Sequence, residues 1–448
     1  MGSRIHRAGG DGSGSGVTEG GRRHFGGLWR QRNFRLLWIG ETVSQVGNAM
    51  AVVGVPLVAV VVLHASTFAV GLLTAAGWLP WLVIGLPAGA WVDRLPVRPV
   101  MICADLLAAV LYGSVPLAAW TGVLSIGLLV AIQLAAGAAS VVFMTGYQVY
   151  LPSVVAAADL IEANTKMQGS ASAAAFAGPG LAGLVAQVVG AVTALTGNAV
   201  SFCISAGCLL ASRPSVPPPG ERCRRNLRKE IAAGVLLLVR DPYLRPMTVF
   251  WSAANFALTG YTALLVVFLV RIVGLSAGWV GVLTAVPGLG GVLGALVTRR
   301  VTVRFGTARG LLLATWLGMP AALLIPLTGP GSRLVCYVAG ALVAYTGMGI
   351  GNIIIAAFRQ AHSPPGMCGR VTATQRFFIF ATSPMGAFAG GSVGTWLGIR
   401  PALWIMLGIA VASGSLLCSR GLVADRDLPG HGRSRPVDQQ ETIFANLN

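Results

Sequence analysis

The sequence predicts an all-α membrane protein: twelve transmembrane helices arranged as two six-helix halves related by a pseudo-twofold repeat. Three observations predict it. The 448 residues are 55% hydrophobic and 10% charged, whereas soluble domains are about a quarter charged. Mean hydropathy is +0.74, and apolar stretches of about 20 residues, each long enough to cross a hydrocarbon core, recur along the chain. Apart from Arg271, Arg333 and Arg400, every Lys and Arg falls in a tail, in alternate connections, or beside them.

The elements follow in order. Residues 1–32 are rich in Gly, Ser and Arg and lack an apolar core, so they read as a flexible tail, not a cleavable signal peptide. Six spans follow, at roughly 36–63, 68–92, 99–120, 123–147, 166–190 and 191–212, and form an N-terminal half of 33–212. Only helices and closed barrels satisfy the backbone inside lipid. These runs are continuous, not alternating, so they are helices. The 2–3 and 5–6 divisions rest on short connections. Residues 213–242 form a linker rich in Pro and Arg. Its later part, "NLRKEIAAGVLLLVRDPYLRP", reads as an amphipathic helix on the membrane surface, ended by Asp241-Pro242. Spans at roughly 243–271, 277–298, 308–328, 333–358, 371–395 and 400–420 build a C-terminal half of 243–421. Residues 422–448 are polar and read as a disordered tail. A shift of 205 residues lays Gly89-Ala90 on Gly294-Ala295, Arg94 on Arg299 and Pro179 on Pro384. Two such halves around a central path are the plan of a carrier.

Charge and composition exclude several function classes. The basic connections mark the cytoplasmic side. Both termini are therefore expected inside, in a multi-pass protein of the cell membrane whose basic face meets anionic lipid heads. The net charge of +18 is thus topological and not a nucleic-acid signal. The seven cysteines are scattered without metal or redox spacing, so no disulfide, metal or other cofactor is expected. No GxxxxGK[ST] loop is present for ATP. The five histidines include none that is clearly mid-span, which argues against a membrane enzyme.

The connection "GAWVDRLPVRPV", Gly89 to Val100, resembles the loop 2–3 signature of the major facilitator superfamily, with Gly89, Asp93, Arg94 and Arg98 in register. Pro96 replaces the usual second glycine and Pro99 a second basic residue; proline still makes a turn by fixing φ. The resemblance implies that Asp93 latches the halves together when the outside is open. Alternatively, the arginines only enforce topology and touch lipid phosphates. The second-half copy, Gly294 to Arg309, has Thr298 where the acid would stand. In span 5, "AAAFAGPGLAGLV" is similar to the bend signature of the superfamily's exporters, through Gly178, Pro179 and Gly183. Its counterpart in span 11 is "ATSPMGAFAGG", with Pro384. Longer phrases such as "NFRLLWIGETVSQVGNAM" resemble the branch containing macrolide and siderophore exporters. The resemblance implies a monomer that exports small amphiphilic compounds by proton antiport and alternating access. An uptake carrier is the nearest alternative; a membrane-embedded sensor or enzyme is remote.

Acids inside lipid are costly and usually functional. Two lie within the spans: Glu41 in span 1 and Asp105 in span 3. Both are candidates for proton coupling. The alternatives are an interfacial acid countering Arg35, and an Asp105 paired with Arg94 or Arg98. Polar groups at depth suggest a substrate cavity lined by Gln45, Asn48, Gln133, Asn255 and Asn352, with Tyr147, Tyr261 and Trp251 as aromatic walls. Gln45 and Asn48 share a helix face with Glu41. Helix-to-helix hydrogen bonding is the competing role for each amide.

Overall fold

The computed structural model describes residues 27–92, 95–156, 159–213, 235–363, 368–418 and 426–428. Among the described residues, twelve helices are long and apolar enough to cross a membrane. They are α1 (Arg32–Leu57), α2 (Thr67–Val92), α3 (Val97–Trp120), α4 (Ile126–Val154), α5 (Leu160–Val189), α6 (Ala191–Ala211), α7 (Leu244–Val267), α8 (Ala277–Phe305), α9 (Thr307–Ala321), α10 (Leu334–His362), α11 (Cys368–Trp396) and α12 (Ile399–Ser413). The described residues contain no strand. α1 starts and α12 ends on one side of the bundle, here the tail side; the other is the far side. The short connection expected between spans 5 and 6 is a turn made by Gly190 at φ 100°, a left-handed conformation that glycine adopts without strain; that between spans 2 and 3 includes 93 and 94, which lie outside the described residues.

The two halves use the same packing scheme. In the first, α1 packs on α5 and α6, α2 on α4, and α3 on α4 and α6; in the second, α7 packs on α11 and α12, α8 on α10, and α9 on α10 and α12. The halves meet along two seams, α2 with α11 and α5 with α8.

The hairpins α1–α2 and α7–α8 repeat most closely. Each first helix ends in a π-turn, Val58–Val62 and Phe268–Ile272. A left-handed residue follows, His64 at φ 48° and Gly274 at φ 78°. "VGLLTA" from Val70 then answers "VGVLTA" from Val280. The offset is therefore 210 (64 to 274), not the 205 read from Gly89 and Gly294. The 205 alignment set a helix end against a helix interior: α8 runs on to Phe305 and stops at Gly306, φ 87°. Thr298 is consequently buried inside α8, with its hydroxyl donating to Gly294 O at 2.6 Å. It is not a loop residue standing in for an acid.

Of two tail-side elements, one is described only in part and one departs from expectation. Residues 226–234 of the predicted surface helix lie outside the described residues, and 235–240 are helical. In the tail expected to be disordered, Arg426 to Leu428 dock on the α8–α9 turn. Thr307 N donates to Asp427 Oδ1 (2.8 Å), Leu428 N to Thr307 Oγ1 (2.8 Å) and Ala308 N to Arg426 O (3.1 Å). These bonds satisfy amides at the start of α9, whose N-cap Gly306 has no side chain to do so.

Asp241 does the same for α7. Its Oδ1 accepts from Tyr243 N and Leu244 N, both at 2.9 Å, and His362 Nε2 donates to its Oδ2 at 2.9 Å. Burial pushes this carboxyl up, but the bonds from His362, Leu244 and Tyr243 outweigh it and hold it below its ordinary range. An acid depressed in the folded state stabilises the fold above its unfolded pKa of about 4, and that contribution is lost as pH falls through the folded value. Asp241→Asn keeps an acceptor for Tyr243 N and Leu244 N but loses the carboxylate that accepts from His362, so it is expected to cost about 1 kcal/mol at neutral pH and to flatten the fall in melting temperature on acidification. Parallel pH slopes for wild type and variant would refute this account.

Candidate functional site

The site begins with the small residues of α1. A Cβ placed on Gly40 would lie 3.1 Å from Cys208 Cβ and 3.2 Å from Ser205 Cα, and Gly47 lies against Ser201 and Asn198. α1 and α6 thus approach almost backbone to backbone, as small residues permit in lipid. That approach encloses Glu41, which is 7% exposed. Gln45 Nε2 donates to Glu41 Oε1 at 2.7 Å. Glu41 Oε2 is enclosed with no hydrogen-bond partner.

Asp105 comes to the same place from α3. It is 1% exposed. It faces the Ser205 hydroxyl and lies within electrostatic reach of Glu41, and its Oδ2 is also unpartnered. Tyr147 of α4 is a third titratable group within reach of Glu41. Among the described residues, no Arg or Lys forms an ion pair with either acid. Arg98, weighed above as a partner for Asp105, lies in the first turn of α3. It donates instead to the carbonyls of Leu209 (2.9 Å) and Leu210 (2.8 Å) at the end of α6. It thereby covers acceptors that the helix leaves open. Asp93 and Arg94 lie outside the described residues, and Gly89 lies in the last turns of α2. Two enclosed carboxyls with no ion-pair partner among the described residues can be neutralised by binding a proton, and acids within membrane spans are functional for chemistry of that kind.

The amides divide. Gln133 accepts from Tyr112 Oη at 3.0 Å, and its Nε2 lies over Gly77. Asn255 donates to Ile379 O (2.9 Å) and Ser383 Oγ (2.7 Å). These two amides tie helix to helix, α4 to α3 and α7 to α11. Gln45 is held by Glu41, whereas Asn48 and Asn352 are exposed. Trp251 and Tyr261 are both buried, Trp251 beside a small cavity within the second half that it lines with Phe250, Met319 and Gly351.

The bend residues of α5 meet both halves. Gly178 lies against Ala49 and Val46 of α1, and Pro179 is buried. A Cβ on Gly183 would lie 2.5 Å from Gly281 Cα and 2.7 Å from Ala277 O. The α2–α11 seam repeats this contact, with a Cβ on Gly71 2.6 Å from Gly391 Cα. Two hydrogen bonds cross between the halves at the same end: Arg271 Nη2 to Ala65 O (2.6 Å) and Gly278 N to Gln187 Oε1 (3.2 Å). At the far side the halves thus meet through glycine contacts and cross-half bonds. Sequence reasoning singled out Gly183 as part of a bend but missed Gly71, Gly281, Gln187 and the role of Arg271. The repeated "VG-LTA" phrase was the available signal.

Comparison with known proteins agrees with this architecture. The model of the Major Facilitator Superfamily matches residues 37–387. Multidrug efflux pump Tap of Mycolicibacterium fortuitum is 26% identical over 376 residues, 82% of this chain and 90% of that protein. The Tap pump of Mycobacterium tuberculosis (strain ATCC 25618 / H37Rv) is 27% identical over 430 residues, 90% of this chain and 97% of that one. Among solved structures, the nucleoside transporter NupG superposes with a TM-score of 0.68 at 12% identity, over 86% of this chain and 98% of that chain. A bacterial homologue of the iron transporter ferroportin, in an inward-facing state, gives 0.66 at 16% identity, over 86% and 98%. At these identities the structures support the fold alone.

Proposed function

The chain is a transporter belonging to the Major Facilitator Superfamily, and from that membership we propose that it exports small amphiphilic compounds in exchange for protons. The observation that carries the export direction is the likeness to multidrug efflux pumps along nearly the whole chain. The proton side rests on Glu41 and Asp105, both enclosed and, among the described residues, without an ion-pair partner.

The mechanism follows from the seams. The glycine contacts and the bonds from Arg271 and Gly278 all lie at the far side. In this reading they are closed in the state open to the cytoplasm, the side on which the basic residues place both tails. A substrate enters from there. The halves then rock about the middle of the seams, the far-side contacts part, and the substrate leaves outward. A proton taken up by the Glu41–Asp105 pair from outside drives the return. Apolar and aromatic surface in the path holds the substrate, and Asn48 and Asn352 supply exposed hydrogen-bonding groups.

Everted vesicles carrying the protein and a pH-sensitive dye test this. They are energised and then challenged with a panel of amphiphilic antibiotics, dyes and siderophores. Proton release provoked by a compound, and absent from empty vesicles, is the expected result. Silence across the panel from folded protein would overturn export by proton antiport.

A further inference from the structure

We propose that Trp78, Trp81 and Phe380 form a clamp that selects substrates carrying a planar aromatic ring. The proposal rests on the transporter reading above for the path these rings face.

The α2–α11 seam changes character along its length. From the far side it runs through Phe68 against Phe388 (centroids 5.5 Å apart), then Gly71 against Gly391, then a buried cluster of Ala75, Ala263 and Ala387. There the small residues stop. Trp78 continues the stripe of Gly71 and Ala75, and Phe380 lies two turns before Ala387 on the same face of α11. Phe380 stacks on Trp78 at 5.6 Å and 26°, and tilts against Trp81 at 5.3 Å and 54°. One ring from one half is thus held by two from the other, where the sealed part of the seam ends.

Two observations argue against simple filling. First, all three rings are only half-buried, although Ala75 and Ala387 beside them are buried. They do not belong to the outer face of α2 either, which carries the exposed Leu79 and Val83. Second, among the described residues no pair of rings stacks across the other seam. At the repeat offset of 210, Trp78 corresponds to Gly288, which lies directly on the backbone of Phe176. Packing of this fold therefore does not require the stack. Aromatic pairs contribute about 0.5–1.5 kcal/mol each beyond their buried area. When the halves part, a planar ring can enter between Phe380 and the indoles and stack on both, so that each jaw contributes contacts of this kind.

The test uses purified protein in nanodiscs and two probes of the same charge: proflavine, a planar tricycle, and dodecyltrimethylammonium, which has no ring. Phe380→Leu keeps apolar bulk in the seam and removes the ring; Trp81→Ala removes one jaw. Each is expected to weaken proflavine binding about tenfold and to leave dodecyltrimethylammonium binding within about twofold, which also shows the variants to be folded. Phe380→Tyr should retain both. Equal weakening for the two probes, no change for either, or no proflavine binding by wild type would each overturn the clamp. Wild type that binds proflavine selectively yet moves neither probe in vesicles would support the clamp and sink the transport direction and coupling proposed above.

Discussion

Replacing Gly183 by leucine is expected to stop transport while leaving the protein folded and inserted. In the sealed state a Cβ at this position would lie 2.5 Å from Gly281 Cα. That is backbone, which cannot turn aside as a flexible side chain does. Overpacking of this kind costs about 1–3 kcal/mol, and each 1.4 kcal/mol shifts a two-state population tenfold. In the state with the far side open the same leucine meets lipid or water, so the cost falls on one state alone. The protein should accumulate open at the far side. Spin labels at Val62 and Ile272, both exposed on the two hairpins, should report a longer separation than in wild type. Arg271→Ala should act in the same direction but more weakly. It removes one hydrogen bond to Ala65 O, worth about 1 kcal/mol, and creates no clash. If Gly183→Leu transports normally, or leaves the label separation unchanged, the Gly183–Gly281 contact is not a moving seal.

Gly183 also marks the limit of what the sequence makes legible. The spans are readable because lipid allows few solutions: each must be a continuous apolar helix, and all twelve are where hydropathy puts them. Gly183 stands out because it lies one turn after a Gly-Pro pair, which is unusual inside a helix. Its partner was hidden, because the meeting of α5 with α8 depends on how two non-sequential helices lie in three dimensions. The same limit applies to Arg98. Seven residues from Asp105, it shares a helix face with it, and local spacing favoured a pair. The end of α6, brought alongside α3 by tertiary packing, offered two bare carbonyls instead. Gln133 and Asn255 were recognisable as polar groups in lipid, yet only the fold shows that a tyrosine on α3 and the hydroxyl and carbonyl groups of α11 use them. The repeat was misread by five residues, because glycines common in any packed helix were used as landmarks. The π-turn and left-handed residue that fix the register leave a faint trace in the sequence: one copy uses His64 and the other Gly274.

The second large effect concerns coupling. Glu41→Gln keeps the length and shape of the side chain and can still hydrogen-bond Gln45, but it can no longer ionise. A proton moving down one pH unit supplies about 1.4 kcal/mol, enough to sustain about a tenfold gradient of a neutral substrate. With the membrane potential clamped, wild-type vesicles should approach that ratio, and Glu41→Gln vesicles should hold none. Exchange of labelled for unlabelled substrate should continue in the variant, since exchange needs only the rocking of the loaded halves. That split between accumulation and exchange separates a coupling residue from a structural one, whose loss would depress both. Asp105→Asn then locates the proton. Its enclosed carboxyl lies within electrostatic reach of Glu41, so the two are tested side by side. Loss of accumulation in both variants assigns the proton to the pair; loss in Asp105→Asn alone moves it to α3. A Glu41→Gln protein that still builds the full gradient, beside an Asp105→Asn protein that also does, would remove both carboxyls from the coupling path.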